Sequence, residues 1–185
     1  PLSELDSLAV LYLGWSRVTD VSSLRGLPNL LGLQLADNGI SDISSVSGLT
    51  ELQWISLAYN QISDVSPLSE CRDLDLLKLQ DNNIEDVSAL AELPALSWVF
   101  LPDNVISDIS PLTGLFELCE LDLRGNPLNE GAYRVDIPQI RQNNPGIEIY
   151  YGPIPEPNTS TILLVLSGLT GLWRKKAHHR KRAPS

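Results

Sequence analysis

Carboxylates are the most numerous chemically able side chains here, with 23 Asp and Glu against 13 Lys and Arg. Clustered, they could trade protons or hold a cation. Five of the aspartates, Asp20, Asp42, Asp64, Asp86 and Asp108, instead recur singly at one spacing. A single carboxylate per recurrence, without the Asp/Asn/Gly loop of a calcium site, predicts turn capping rather than a calcium ladder. The two histidines, His178 and His179, fall inside a basic run, so none is placed to serve as a base elsewhere. Cys71 stands where sibling copies carry leucine and reads as an inert buried thiol. Cys119 lies two copies further on. At about 4.8 Å per stacked strand, that gap is too wide for a disulfide. There is no phosphate-binding glycine loop, no H-E-x-x-H and no G-x-S-x-G. No catalytic residue, metal site or cofactor is assigned, and the chain reads as non-enzymatic.

Recognition chemistry is better represented. Tyr12, Trp15, Trp54, Tyr59, Lys78, Asp81, Trp98, Phe100 and Asp103 fall into three recurring positions, five, seven and ten residues into a repeat. The three columns are expected to share one open sheet face. Aromatic rings left wet on such a face are enriched in binding hot spots. The competing reading is that they pack on one another across neighbouring strands. A protein or peptide ligand would be held by Trp54, Trp98 and Phe100, with Lys78, Asp81 and Asp103 setting specificity. A polysaccharide could stack on the same rings.

These residues are positioned by a period of 22. Copies start at Leu5, Leu27, Leu49, Cys71, Leu93 and Leu115, without insertion or deletion. Three residues on, each has leucine: Leu8, Leu30, Leu52, Leu74, Leu96 and Leu118. Leucine recurs eight residues in, from Leu13 to Leu123, and aliphatic residues recur six residues in. Asparagine stands eleven residues in, at Asn38, Asn60, Asn82, Asn104 and Asn126, with Ser16 the exception. The alternation predicts a short strand with one buried face. The asparagine amide can satisfy turn backbone that would otherwise be buried unpaired. Serines at 22, 44, 66, 88 and 110, with Pro67 and Pro111 directly after two of them, read as caps of short helical turns.

The pattern L-x-x-L-x-L-x-x-N-x-I/L is that of leucine-rich repeats. With the I-S-D-I-S-P-L half repeat at 106–112, it resembles the 22-residue class of bacterial internalin-like proteins and of protein phosphatase 1 regulatory subunits. The resemblance covers roughly residues 1–152. It implies an α/β solenoid, a right-handed superhelix with short parallel strands on the concave face and 3-10 or irregular turns on the convex one. It also implies binding through the concave face. An acidic body argues against nucleic acid: residues 174–185 carry six Lys/Arg and no acid, leaving 7 against 23 elsewhere, a net of −16.

The division expected is repeats over 1–126, a C-terminal cap over 127–152, a proline-rich linker over 153–160, and an apolar segment with basic tail over 161–185. The opening Pro1-Leu2-Ser3-Glu4 matches Pro67-Leu68-Ser69-Glu70, which predicts a further repeat upstream and an apolar end around Leu5 and Leu8. In the cap, a helix over 129–143 is expected to be interrupted by Gly131 and Pro138, and Ile147, Ile149 and Tyr151 alternate as a last strand. Residues 161–173 form an uncharged run of thirteen, short for a membrane span. Together with Pro155-Glu156-Pro157 before it and Arg174-Lys175-Lys176 after it, this tail resembles the PEP-CTERM sorting signal of exported bacterial proteins. That resemblance implies transient membrane anchoring, an exosortase-like processing enzyme, and a cell-surface or extracellular destination. A further alternative is an accessory repeat region of an enzyme whose catalytic domain lies upstream.

Overall fold

The computed structural model describes Leu5 and residues 7–154. The expected sorting motif Pro155, Glu156 and Pro157, the apolar run and the basic tail lie outside the described residues.

Each copy contributes one strand of three residues: β1 Val10–Tyr12, β2 Gly32–Gln34, β3 Trp54–Ser56, β4 Leu76–Lys78, β5 Trp98–Phe100 and β6 Glu120–Asp122. A seventh, β7 Glu148–Tyr150, follows the last copy. The sheet runs β1 to β7 in chain order with all described neighbours parallel, as long connections between strands require. Val10 pairs with Gly32, Gly32 with Trp54, Trp54 with Leu76, Leu76 with Trp98 and Trp98 with Glu120. Because the register never slips, a column in the sequence is a column in space. The central strand residues Leu33, Ile55, Leu77, Val99 and Leu121 all point inward and are fully buried. They join the other leucine columns in one continuous apolar core.

The asparagines tie the coils together. Asn82 Oδ1 accepts from the Ile62 N–H at 2.9 Å, while its Nδ2 donates to the Leu57 and Leu79 carbonyls at 3.0 and 3.1 Å. Asn38, Asn60, Asn104 and Asn126 repeat the arrangement. Ser16 has no such reach, and its hydroxyl donates only to the Gly14 carbonyl two residues back. In the cap, Asn144 takes over a related task, accepting from the Leu118 N–H and donating to the Leu115 carbonyl.

Opposite the strands, each coil closes through a 3-10 turn: Ser22–Gly26, Ser44–Gly48, Ser66–Leu68, Ser88–Glu92 and Ser110–Gly114. The serines do not cap these turns. The aspartate two residues earlier does so, accepting the serine N–H at 2.8 to 2.9 Å in all five coils. That bond to the charged form holds the carboxyls of Asp20, Asp42 and Asp86 below the usual range.

The expected helix interruption is not found. Gly131 is helical, with φ −60° and ψ −43°. A π-helical segment Ala132–Asp136 runs directly into α1 Ile137–Asn143. The wide turn carries the Ile137 N–H to the Ala132 carbonyl, five residues back. This lets Pro138, which has no N–H and would crowd a regular α turn, enter the helix without breaking it. At the other end Leu5 is 46% exposed, and Leu8, Leu11, Leu13 and Val18 are only partly buried.

Candidate functional site

The side chains that could recognise a ligand come from two places in each coil. The strand supplies positions five and seven, which alternate with the buried central residue and so face away from the core. The residue ten in was expected on the sheet as well. It lies instead in the turn beyond the strand, in a left-handed backbone: Trp15 φ 55°, Asp37 φ 56°, Tyr59 φ 56°, Asp81 φ 53°, Asp103 φ 55° and Gly125 φ 74°. Hydrogen bonds to the next coil hold that geometry, including Trp15 N–H to the Ala36 carbonyl, Tyr59 N–H to Gln80 and Asp81 N–H to Pro102. Aspartate tolerates the left-handed region; Trp and Tyr are unusual there, and such backbone costs about 1–3 kcal/mol per residue. Trp15 and Tyr59 gain no burial in exchange, since they remain 73% and 53% exposed.

The nine expected site residues divide into two groups and one further residue, Trp98. Tyr12 and Trp54 meet near the start of the sheet, with ring centroids 5.8 Å apart and tilted by 42°. Their strands are separated by β2, and the approach depends on Gly32, where an added Cβ would run into the Trp54 indole. Cross-strand packing thus accounts for Trp54, which is half-buried, but not for Tyr12, which is 70% exposed. Trp15 lies at the adjoining turn. Further along, Tyr59, Lys78, Asp81, Phe100 and Asp103 line one open pocket of about 450 Å3. Trp98 is exposed on the same strand and the same face as Phe100, two residues away.

Sequence reasoning missed four walls of this pocket: Gln80, Pro102, Asp122 and Arg124. Three of them occupy the position nine residues in, just before the left-handed turn, where Gly14, Ala36 and Ala58 are too small to draw notice. Asp122 is buried and grips Arg124 closely, accepting from Nε at 2.9 Å on Oδ1, from Nη2 at 2.6 Å on Oδ2 and from the Arg124 backbone N–H at 3.1 Å on Oδ1. This carboxylate raises the Arg124 pKa further above its ordinary value. The guanidinium also lies 5.4 Å from the Tyr150 ring centre, and Tyr150 donates to Glu148 at 2.6 Å, which pushes the phenol pKa up. Lys78 sits with its ammonium 5.4 Å from the centre of the Phe100 ring.

Neither cysteine takes part. Cys71 is buried, its thiol turned to the Leu49 carbonyl, and burial pushes its pKa up to about 11. Cys119 is exposed, and both thiols are free. Among the described residues no group of three His, Cys, Asp or Glu could hold a metal ion, and no helix is long and apolar enough to cross a membrane.

A family model described as leucine rich repeat matches residues 6–62, and a second, of two leucine-rich repeat copies, matches residues 50–92. The chain carries leucine-rich repeats. Among solved structures, the fold is similar to an internalin from Listeria monocytogenes, 29% identical, with a TM-score of 0.75 over 83% of this chain and 46% of that one. It is also similar to a leucine-rich repeat protein from Leptospira interrogans, 24% identical, with a TM-score of 0.70 over 80% of this chain and 38% of that one. A functional domain of InlJ from Listeria monocytogenes, which includes a cysteine ladder, matches at 20% identity and a TM-score of 0.60, over 82% of this chain and 40% of that one. The chain spans less than half the length of each of these three. No curated protein matches it. The two cysteines of this chain stand in different columns of the repeat.

Proposed function

We propose that this leucine-rich repeat chain is the non-enzymatic binding module of an exported or cell-surface bacterial protein, and that its strand face receives a protein or peptide. The observation that carries the reading is the pocket bounded by Tyr59, Lys78, Asp81, Phe100 and Asp103, continued along the sheet by exposed Trp98. Such a surface combines aromatic anchors with charged groups at fixed spacing, the composition of a recognition patch. Export rests on the likeness of the tail to a PEP-CTERM signal. In this reading residues 1–126 are the repeats, 127–152 the cap, 153–160 a linker, and 161–185 a segment that holds the membrane until an exosortase-like enzyme acts near Pro155, Glu156 and Pro157.

Trp98→Ala and Phe100→Ala test the binding reading. Peptides selected from a random display library on the immobilised protein are expected to lose at least tenfold in affinity for either variant, with the melting temperature changed by no more than a few degrees. Selected peptides that bind both variants as well as the parent would overturn it. A second reading, a polysaccharide ligand, is favoured by the Tyr12–Trp54 pair, whose ring centroids lie 5.8 Å apart with the Trp54 indole over Gly32. A glycan array probed with the parent and with Tyr12→Ala separates it: retention of a glycan by the parent alone would support the sugar platform.

A further inference from the structure

The chemical balance of the 450 Å3 pocket points to the kind of peptide it takes. Its lining holds three aspartates against one lysine and one arginine. Both cations are already engaged: Arg124 closes on Asp122, and Lys78 lies over Phe100. With Arg124 balanced by Asp122, the rest of the lining sets two carboxylates, Asp81 and Asp103, against the single Lys78 ammonium. The carboxylates of Asp81 and Asp103 accept no hydrogen bond and close no ion pair among the described residues, although Asp103 lies against Gly125 and contributes to the field at Arg124.

The neighbouring turns have the same character. The left-handed column that carries Asp81 and Asp103 consists of Trp15, Asp37, Tyr59, Asp81, Asp103 and Gly125, without one basic residue. Successive positions are one strand spacing apart, about 4.8 Å. A guanidinium, with five donors in a planar fork, can therefore reach the carboxylates of two adjacent coils at once. The exposed Tyr59 ring beside them offers a flat face to the same group.

We propose that this pocket receives a cationic side chain of an extended basic peptide, arginine above all, with the charge shared between Asp81 and Asp103 and the planar group against Tyr59. The inference rests on the peptide reading of the strand face and adds the class of peptide. Charge complementarity supports that occupant over a neutral one: residues 7–154 hold 20 Asp and Glu against 7 Lys and Arg. The field that attracts such a peptide is screened by salt, so its association is expected to be strongly dependent on ionic strength.

The test uses the full chain and a fluorescent peptide with acetylated and amidated ends, Gly-Arg-Gly-Arg-Gly-Arg-Gly. A second peptide has citrulline for each arginine, which keeps the shape and removes the charge. Anisotropy titrations are expected to show the arginine peptide bound at least tenfold more tightly than the citrulline peptide. That preference is expected to fall in 0.5 M salt and to be lost in Asp81→Asn/Asp103→Asn, whose melting temperature should match the parent. Equal affinity for the two peptides, or an unchanged preference in the double variant, would overturn the proposal. So would capture of neutral cellohexaose in competition with the arginine peptide, or no binding of that peptide at all. Those results leave the broader peptide reading standing wherever Trp98→Ala still abolishes binding of library-selected peptides.

Discussion

The asparagine column shows how much one side chain can hold. Asn82 is 8% exposed and serves backbone groups of two coils, the Ile62 N–H and Leu57 carbonyl of the preceding one and the Leu79 carbonyl of its own. None of those groups has water to fall back on, and an unpaired buried backbone group costs about 1–3 kcal/mol. Asn82→Ala is therefore expected to lower unfolding stability by about 3 kcal/mol, read as a fall in urea midpoint at constant slope. Ser16 stands in this column without an amide, while Asn38 of the next coil serves the Leu13 carbonyl and the Val18 N–H. The Ser16 coil leaves Leu11, Leu13 and Val18 only partly buried, where later coils bury the same columns completely. The left-handed residues are the other feature set at this scale. Their aspartates and aromatics give no hint of positive φ in the sequence, and only Gly125 signals it. That is why the ten-in column reads as strand when the alternation of the strand is simply carried forward.

Two elements respond to acid in opposite directions. In the 3-10 turns, the Ser N–H bonds lower the folded pKa of Asp20, Asp42 and Asp86. Their contribution is present above the ordinary carboxylate value and is lost as pH falls through the folded value. In the cap, burial first and the Asp108 charge second raise the pKa of Asp136 above its ordinary 3.8. Its charge therefore opposes folding at neutral pH, and that penalty fades as pH falls through the raised value towards 3.8. Asp136→Asn is expected to raise the melting temperature at pH 7, with the gain over the parent shrinking steadily down to pH 4. An equal gain at both pH values would show that the carboxylate is not the cause. The turns were legible because one solution recurs five times and repetition averages out local accidents. The cap occurs once. There Gly131 and Pro138 carry breaker propensities that a π turn overrides, and nothing in single-residue preference announces a π turn. The pocket was legible in part for a related reason: its strand residues follow the period, whereas Gln80, Pro102 and Arg124 depart from the small residues of their column.

At the scale of the molecule, stability should vary along the stack rather than belong to the chain as a whole. Each coil touches its neighbours, and no coil could bury its leucines alone, so a central coil draws on two interfaces and a terminal one on fewer. The same leucine column samples the whole range: Leu74 is fully buried, while Leu8 is only partly so. Cutting Leu74 back to alanine leaves a cavity within rigid neighbours and is expected to cost about 2–5 kcal/mol. Leu8→Ala removes less buried surface and leaves no enclosed void, so it should cost well under half as much. Hydrogen exchange adds the spatial half of the prediction. Amides that bridge β3, β4 and β5 should exchange most slowly, and Leu8→Ala should speed exchange in β1 and β2 without reaching β5. Leu74→Ala should speed exchange on both sides of β4. Equal losses from the two substitutions, spread over every strand, would mean that the chain unfolds as a single unit and that the coil-to-coil interfaces do not set its local stability.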